Sequence, residues 1–377
     1  MKSHKKNIQI QVDHIDPLGQ GVYKKDGTVI FTGKTLPGEC CTVRLEKSKK
    51  GVHFAKLLSI EKSAETRVTP ECSHFDECPG CDYLHTDYET ELAFKKQALK
   101  KYFQHVDFDI DQLDLVKAPE RLHYRNRIQL HYRQQKIGLV NGLINEIIEI
   151  PQCQMIKEEL RSSLDALYND PSWKNNPRKT GHCELYFHDD TLHVTWDKPY
   201  AYGGFSQVYE EMNTVLRDTI SRYLNGVSIV SVLDLFSGNG NLSEEIVKNH
   251  VAKRVLVDTS LKNKPPHFIR HDLYREGSLN SFSRKFGDKK FDLLLLDPPR
   301  KGFSTLKNWV KKYNPERVIY VSCHPGTLAR DLGRLDGKFK IIRLALIDLF
   351  PGTRHFETVA HIYFPDQRKY RKINGST

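Results

Sequence analysis

A carboxylate and a thiol each directly follow an apolar run in the C-terminal half of this 377-residue chain. Asp297 opens the segment DPPR, in which two prolines make a rigid turn that would aim the carboxylate. Cys323 lies in the segment SCHP at the end of another apolar run. Because ligands bind at the carboxyl ends of parallel strands, both side chains are predicted to enter one crevice. Cys323 could then act as a nucleophile favoured as thiolate by the adjacent His324, whereas inert packing is the alternative.

A glycine-containing turn lies upstream, in the segment DLFSGNGN at residues 234–241. It follows a predicted strand and opens a predicted helix, and glycine lets the backbone come close to a nucleotide-like ligand. A dinucleotide-binding fingerprint needs a third glycine at position 243, where this chain has Ser243. Because the next strand ends at Asp258, the pattern favours S-adenosylmethionine over NAD, with a plain strand-to-helix turn as the alternative.

Four of the eight cysteines have a spacing typical of metal ligands. Three lie close together and one is remote, which fits either a four-cysteine zinc site or a [4Fe-4S] cluster. A redox pair within the segment CPGC is a further alternative, although the βαβ context of such a pair is missing. The spacing alone does not choose between zinc and iron. The four residues are Cys72, Cys78, Cys81 and Cys153.

Basic residues alternate with aromatic residues between Arg121 and Arg133. Such a segment fits RNA phosphates and stacking on unpaired bases, and a strand with one solvated basic face is the alternative. The whole chain carries 58 Lys and Arg against 47 Asp and Glu, a net charge of +11. This balance makes a polyanionic partner plausible.

Three regions of different pattern must position these residues. Residues 1–62 contain short alternating runs between glycine turns, which predicts an OB-like β barrel. Residues 63–204 contain the cysteine loop, a predicted helix at 87–103 with Thr86 as its N-cap, and alternating strands, which predicts a mixed α+β domain. Residues 205–377 contain near-continuous apolar runs separated by helical stretches, which predicts a Rossmann-like α/β domain.

Targeting signals are not recognisable in the sequence. No apolar run approaches ~18 residues, so no membrane span is expected. The basic N-terminus leads into no apolar stretch, so no signal peptide is expected and a cytoplasmic protein is predicted.

Taken together, these motifs resemble the iron–sulfur branch of the RNA uracil-5-methyltransferase family over nearly the whole chain. The resemblance implies that residues 1–62 form a TRAM domain, an OB-like RNA-binding barrel, and that residues 205–377 form the S-adenosylmethionine-dependent catalytic domain. It implies that the helix at 87–103 could pack on the catalytic domain. It also implies iron rather than zinc, in a [4Fe-4S] cluster of structural role. The implied ligands are Cys72, Cys78, Cys81 and Cys153.

The resemblance also implies the roles of single residues. Cys323 falls on the family's nucleophile and Glu357 on its general base. Two departures from the family pattern lie nearby, because His324 and Tyr209 both stand where asparagine is usual. They concern substrate details rather than the reaction. The residues that fall on cofactor-binding positions are Gln207, in a segment FSQV that begins at Phe205, and Phe236, Asn241, Asp258, Asp272 and Asp297.

The chemistry of uridine methylation needs both a thiol and a base. C5 of uracil is a poor nucleophile, and addition of the Cys323 thiolate to C6 builds enolate character at C5. Glu357 can then accept the C5 proton. We therefore expect a monomeric enzyme that methylates structured RNA, with 23S rRNA preferred over tRNA as the substrate. An amino-group methyltransferase and a non-catalytic RNA-binding protein with a vestigial cofactor fold are the alternatives.

Overall fold

The structure is a computed structural model, and its described residues fall into two compact units. The first unit comprises residues up to 98, residues 119–210 and residues 350–354. The second comprises residues 99–118, residues 211–349 and the residues from 355 onward. A further division of the chain near residues 62 and 204 stays a prediction. The described residues are 6–133, 135–175, 178–188, 191–199, 206–248, 253–259, 265–287 and 289–365.

Short strands with alternating apolar residues form the N-terminal sheet. They are β1 (Asn7–Gln11), β2 (His14–Ile15), β3 (Gln20–Lys25), β4 (Thr28–Gly33), β5 (Cys40–Lys49) and β6 (Val52–Lys62). Within the described residues their order is β1-β5-β6-β4-β3-β2, and only the β4–β6 pair is parallel. Register shifts between β5 and β6 bend these long strands over a core that contains Ile10, Ile30 and Val43. The result is a β half-barrel.

The helix predicted at 87–103 is present as α1 (Tyr88–Tyr102). The prediction that Thr86 caps it is wrong, because Asp87 Oδ1 accepts the Thr90 N–H at 2.7 Å. Thr86 instead donates its hydroxyl to the carbonyl of Thr66 at 3.1 Å. An aspartate suits this position because its carboxylate accepts a hydrogen bond from an otherwise unpaired N–H. The negative charge also interacts favourably with the partial positive charge at the N-terminus of the helix. The short strand β7 (Asp114–Val116) follows.

The middle of the chain forms a second sheet that is antiparallel throughout. Its elements are β8 (Arg127–Arg133), β9 (Lys136–Asn141), β10 (Glu146–Ile148), α2 (Glu158–Asn169), β11 (Thr180–His188) and β12 (Thr191–Trp196). In the part of the chain that is described, the order is β10-β9-β8-β11-β12. Helix α2 buries Leu160, Leu164 and Leu167, which share one helical face.

The C-terminal half alternates strands and helices, as predicted for a doubly wound domain. Its elements are α3 (Glu210–Tyr223), β13 (Ser231–Leu235), α4 (Glu244–Lys248), β14 (Lys253–Asp258), β15 (Phe268–Arg270), α5 (Ser278–Phe286), β16 (Leu293–Leu296), α6 (Leu306–Tyr313), β17 (Arg317–Ser322), α7 (Pro325–Leu332), β18 (Lys340–Ile347) and β19 (Glu357–Tyr363). Among the described residues the sheet order is β15-β14-β13-β16-β17-β19-β18-β7.

The polarity of this C-terminal sheet determines where a ligand can bind. Strands β13 to β17 are parallel, and β16, made of four leucines, is buried at every position. Strand β19 runs antiparallel to β17, so β19 begins at the edge where the parallel strands end. The crevice at the carboxyl ends of the strands therefore receives residues from both kinds of strand. None of the helices in the described ranges has the length and apolar character to cross a membrane.

Candidate active site

Cys323 and Glu357 lie at the same edge of the C-terminal sheet. In the antiparallel register of β17 and β19, Ser322 is opposite Thr358. Cys323 directly follows the first of these residues and Glu357 directly precedes the second. Asp297 follows β16, the parallel neighbour of β17, and therefore leaves the sheet at this edge as well. The structure thus brings together three residues that are distant in the sequence.

The two carboxyl groups of this edge interact. Glu357 is 4% exposed, and its Oε2 has no hydrogen-bond partner among the described residues. Burial raises the pKa of Glu357, the charge of Asp297 raises it further, and Arg300 opposes both effects. Burial also raises the pKa of Asp297. Since two neighbouring buried carboxylates disfavour double ionisation, we expect the pair to retain a proton near neutral pH.

The Cys323 thiol is in the same electrostatic environment. Burial raises its pKa to about 12, Glu357 and Asp297 raise it further, and Arg300 opposes them. The prediction that His324 favours the thiolate is wrong in this structure. The His324 ring instead caps helix α7, because its Nδ1 accepts the Thr327 N–H at 3.2 Å. Arg300 is thus the neighbouring cation, and the segment DPPR was the signal that could have identified it.

The glycine turn after β13 is held by two side chains predicted to bind the cofactor. Asp258 Oδ2 accepts the Gly238 N–H at 2.9 Å. The Asn241 side-chain amide exchanges two hydrogen bonds with Asn213 of helix α3, at 2.9 and 3.1 Å. Phe236 has φ of 60°, a left-handed conformation rare for a bulky residue and typical of functional turns. The glycine turn, the aromatic ring and the acidic strand end therefore lie together at the carboxyl edge of the sheet.

The side chains of Asp234 and Ser243, on either side of this turn, are hydrogen-bonded to each other. In the sequence, Asp234 opens the motif and Ser243 stands where a dinucleotide-binding fingerprint has glycine. Asp234 is 2% exposed and Ser243 is 0% exposed. The Ser243 hydroxyl donates to Asp234 Oδ2 at 2.5 Å. Burial nevertheless raises the pKa of Asp234 to about 7. The serine that replaces a dinucleotide-type glycine therefore has a specific polar partner.

The remaining predicted cofactor residues are Asp272 and Gln207. Asp272 follows β15, is exposed, and its Oδ1 accepts the Tyr274 N–H at 2.9 Å. Gln207 belongs to the other compact unit, where its carbonyl accepts a hydrogen bond from Asn126 at 3.2 Å. Phe205, quoted with Gln207 in the sequence pattern, lies outside the described residues. The cofactor roles of Asp272 and Gln207 stay predictions.

Tyr209, one of the two departures from the family pattern, is a buried residue with a stacked ring and a hydrogen-bonded hydroxyl. It is 2% exposed, and its ring stacks on Tyr124 with centroids 4.6 Å apart. Its hydroxyl accepts the Glu120 N–H at 3.0 Å and donates to the Glu120 carbonyl at 3.2 Å. The tyrosine therefore fastens the segment before α3 within the first unit.

The four predicted metal ligands line one cavity of about 220 Å³ in the first unit. Each is a free thiol that is 7–8% exposed. Among the described residues, no group of three or more His, Cys, Asp or Glu side chains is arranged to hold a metal ion. Two cations lie nearby, because Arg125 lines the cavity and Lys34 Nζ donates to the Cys78 carbonyl at 2.7 Å. The thiols are Cys72, Cys78, Cys81 and Cys153.

The predicted RNA-binding role of the basic segment near β8 is wrong for Arg127, which is buried, and Arg121, which is half-buried, makes its hydrogen bonds within the first unit. Arg127 is 2% exposed and pairs with Glu184 at 3.4 Å. Arg121 donates to Glu91 and to the carbonyls of Thr86 and Tyr83. These side chains stabilise the fold of the first unit, so they are not a solvated surface for phosphates.

Known proteins that are similar to this chain include methyltransferases that act on RNA. Residues 280–363 match the family model described as tRNA (Uracil-5-)-methyltransferase. The 23S rRNA (uracil(1939)-C(5))-methyltransferase RlmD of Shewanella frigidimarina is 28% identical, over 93% of this chain and 94% of that protein. The protein of the same name from Vibrio parahaemolyticus is also 28% identical, with the same coverage of 93% and 94%.

A solved structure shares the fold along the chain. The Pyrococcus abyssi tRNA (uracil-54, C5)-methyltransferase, crystallised with S-adenosyl-L-homocysteine, has a TM-score of 0.70 and 19% identity. The match covers 96% of this chain and 100% of that one. The chain has the fold of a Rossmann-like methyltransferase. More specifically, it is similar over nearly its whole length to RNA (uracil-5-)-methyltransferases.

Proposed function

We propose that this enzyme methylates one uridine of 23S rRNA at C5, with Cys323 as the nucleophile and Glu357 as the general base. The observation that carries the assignment is the β17–β19 register, which brings the thiol and the carboxyl to one edge. Their electrostatic interaction supports it, because the Glu357 charge acts on the pKa of Cys323. A nucleophile and a base within reach of one ring are what covalent methylation of a poor carbon nucleophile needs.

The proposed reaction starts when the Cys323 thiol gives its proton to solvent and the thiolate sulfur adds to C6 of the uracil ring. This addition makes C5 nucleophilic, and bound S-adenosylmethionine would supply the methyl group that C5 accepts, leaving as S-adenosylhomocysteine. Glu357 then takes the C5 proton, the C5–C6 double bond re-forms, and the C6–S bond breaks to return the thiolate. Because Cys323 and Glu357 must both reach the ring, the target uridine has to leave its base stack.

The raised pKa values fit such a cycle. A carboxyl pair that holds one proton can accept another only at the partner that is ionised. Asp297 and Glu357 are therefore proposed to share the role of accepting the C5 proton. Arg300 offsets the negative charge of the pair and of the thiolate. We propose that the cofactor is held by Gln207, Phe236, Asn241, Asp258, Asp272 and Asp297.

The choice of rRNA is supported by the full-length relatives, which are named as 23S rRNA enzymes. The solved structure with the same fold is a tRNA enzyme, so tRNA is the second candidate substrate. We propose that residues 1–62 are a TRAM domain that contacts the RNA. Exposed lysines at the ends of its hairpins support this role. They are Lys24, Lys25, Lys49 and Lys50.

We also propose that the four cavity cysteines hold a [4Fe-4S] cluster, which would be structural. The fit rests on the cavity itself, because four buried thiols line a single space with room for a multi-atom cluster. Lys34 and Arg125 would balance the negative charge of four thiolates. The cluster would tie the cysteine loop to the segment around Cys153.

The reaction is tested with the full-length enzyme and RNA transcripts in which 5-fluorouridine replaces uridine. Fluorine cannot leave C5 as a proton does, so wild-type protein should form a stable covalent complex that contains the methyl group. Cys323→Ala should form none and should lose turnover. Glu357→Gln should accumulate a complex even with ordinary RNA, because the C5 proton loses one of its two proposed acceptors and release of the thiol slows. Cys40→Ala, which changes a half-buried thiol of the N-terminal sheet, is the matched control.

Retained turnover in Cys323→Ala would favour the amino-group methyltransferase, since that reaction needs no thiol. A wild-type protein that binds RNA but neither S-adenosylmethionine nor its demethylated product would favour the non-catalytic alternative. Nucleoside mass spectrometry of rRNA and tRNA from a strain lacking the gene identifies the substrate. Loss of 5-methyluridine from tRNA alone would overturn the rRNA assignment.

The cluster is tested on protein purified without oxygen. We expect a brown preparation with about four irons per chain, as one [4Fe-4S] cluster requires. Replacing Cys153 by Ser should lower the iron content, whereas Cys183→Ser, a buried cysteine outside the cavity, should not. A colourless preparation with zinc and no iron would contradict the cluster.

A further inference from the structure

A buried carboxylate on helix α7 joins the strand and the loop that carry the candidate catalytic residues. Asp331 is 1% exposed, and its Oδ2 accepts the Phe303 N–H at 2.6 Å and the Tyr320 hydroxyl at 2.8 Å. Its Oδ1 accepts two hydrogen bonds from Arg330, at 2.8 and 2.9 Å. Both oxygens of the carboxylate are therefore used, and every partner is a donor.

The loop after Asp297 runs close to this carboxylate. Gly302 has φ of +71°, and a Cβ at this position would lie 2.6 Å from Asp331 Oδ2. Arg330 also donates to the carbonyl of Lys301 at 2.8 Å. The loop backbone is thus fixed on Asp331 and Arg330 over successive residues, and only glycine permits this approach.

Each element that Asp331 joins carries part of the candidate site. Helix α7 follows Cys323, and Tyr320 lies on β17, the strand that ends just before Cys323. The Phe303 ring meets Phe236 edge to face, with centroids 5.0 Å apart. Since the same loop begins at Asp297, the position of Asp331 influences both the reacting groups and the aromatic wall of the cofactor site.

We propose that Asp331 is a positioning residue for methyl transfer. It fixes the loop of residues 297–303 against helix α7 and so sets the position of Asp297 and Arg300 relative to Cys323. It also holds Phe303 against Phe236. The inference rests on the proposed function of this site. It concerns how the site is preorganised, which the assignment of Cys323 and Glu357 does not address.

This role requires that both side-chain oxygens of Asp331 accept hydrogen bonds, so the shape of the side chain alone is not sufficient. An asparagine at position 331 has the same size, but its NH₂ group must face either Arg330 or the donors of Phe303 and Tyr320. One of the donor sets then loses its acceptor, so the loop should shift. A displacement of about 1 Å at a reacting group can lower a rate by about 100-fold.

The test compares Asp331→Asn, Tyr320→Phe and the control Asp336→Asn with the wild-type enzyme. Asp336 lies just beyond α7, and its side chain is 81% exposed. We expect Asp331→Asn to lower kcat and the rate of covalent complex formation with 5-fluorouridine RNA by about 10- to 100-fold, at a nearly constant KM for RNA. Tyr320→Phe keeps the ring and removes one donor, so its kcat should fall less, by about 3- to 10-fold.

A second measurement separates positioning from general destabilisation. Calorimetric titration with S-adenosyl-L-homocysteine, which needs no RNA, should show weaker binding by Asp331→Asn if Phe303 no longer supports Phe236. Asp336→Asn should bind and turn over like the wild type. If Asp331→Asn is folded and keeps kcat, the complex rate and the affinity within twofold, the proposal is overturned. If the variant does not fold, Tyr320→Phe decides by the same criteria. If the wild type does not methylate RNA, the proposed function fails, and the affinity comparison still tests the role of Asp331 at the cofactor site.

Discussion

Glu91 on helix α1 accepts a hydrogen bond at 2.7 Å from the backbone N–H of Gly352, which is 261 residues further along the chain. The same carboxylate pairs with Lys95 at 2.6 Å and with Arg121 at 2.7 Å. Lys95 also donates to the carbonyl of Phe350 at 3.3 Å. Because Glu91 and Lys95 are 0% and 1% exposed, a buried ionic network fastens residues 350–354 inside the first unit.

We expect Lys95→Met to lower the free energy of unfolding by about 3 kcal/mol, because it leaves buried Glu91 with one cation fewer. Urea unfolding of the full chain measures this change. Hydrogen exchange of the Gly352 amide, which should become faster, shows whether the loss is local. Lys100→Met changes an exposed lysine of the same helix and should stay within about 0.5 kcal/mol of the wild type. A Lys95→Met protein as stable as this control would contradict the role of the network.

His324 caps helix α7 through its ring Nδ1, and asparagine is among the best residues for an N-cap. We therefore expect His324→Asn to keep the thermal stability of the wild type, whereas His324→Ala should lose about 1 kcal/mol. Thermal unfolding monitored by circular dichroism ranks the three proteins. Since the helix starts beside Cys323, the alanine variant should also form the 5-fluorouridine complex more slowly, and the asparagine variant should restore the rate. An asparagine variant less stable than the alanine variant would show that the cap is unimportant.

Much of the C-terminal domain could be predicted, because its candidate site residues directly follow apolar runs in the sequence. Parallel strands buried on both faces are almost uniformly apolar, so the ends of β16 and β17 are visible in the sequence. Asp297 and Cys323 stand at these ends. The shared edge then follows from the geometry of a parallel sheet, and in the structure both residues directly follow the ends of these neighbouring strands.

Contacts between distant segments could not be predicted in this way. Arg127 lies in an alternating basic strand, and only the pairing of β8 with β11 shows that it faces Glu184 in the interior. Asp331 follows an arginine in an ordinary amphipathic helix, and nothing local indicates that it accepts the N–H of Phe303. Such partners depend on tertiary packing, which overrides local pattern.

The buried Asp234 should make stability depend on pH. Its pKa is about 7 in the folded protein and near its ordinary value of 3.8 when unfolded, so the folded state binds more protons between these values. The contribution of this group to stability therefore falls as pH rises from about 4 to 7. Asn at position 234 has no such dependence. The free energy of unfolding of Asp234→Asn, relative to that of the wild type, should therefore rise by about 2–3 kcal/mol from pH 5 to pH 8, since one pKa unit corresponds to about 1.4 kcal/mol.

Urea unfolding of both proteins across this range measures the difference. Ser243→Ala is the companion variant, because it removes the hydrogen bond that favours the charged carboxyl. Its loss of stability should therefore be larger at pH 8 than at pH 5. A difference between Asp234→Asn and the wild type that does not change with pH would show that Asp234 is ionised in the folded protein.

The raised pKa of Cys323 predicts the reactivity of its thiol in the absence of ligands. With a pKa of about 12, the thiolate fraction should increase about tenfold per pH unit from pH 7.5 to 10 without levelling off. The rate of alkylation by iodoacetamide, followed by mass spectrometry of the Cys323 peptide, should rise in parallel, whereas glutathione levels off near pH 9. Because the Glu357 charge raises this pKa and the Arg300 charge lowers it, Glu357→Gln should speed alkylation at pH 9 and Arg300→Gln should slow it. A plateau near pH 8.5 in the wild type, or the same rate in both variants, would mean that burial and these two charges do not control the nucleophile.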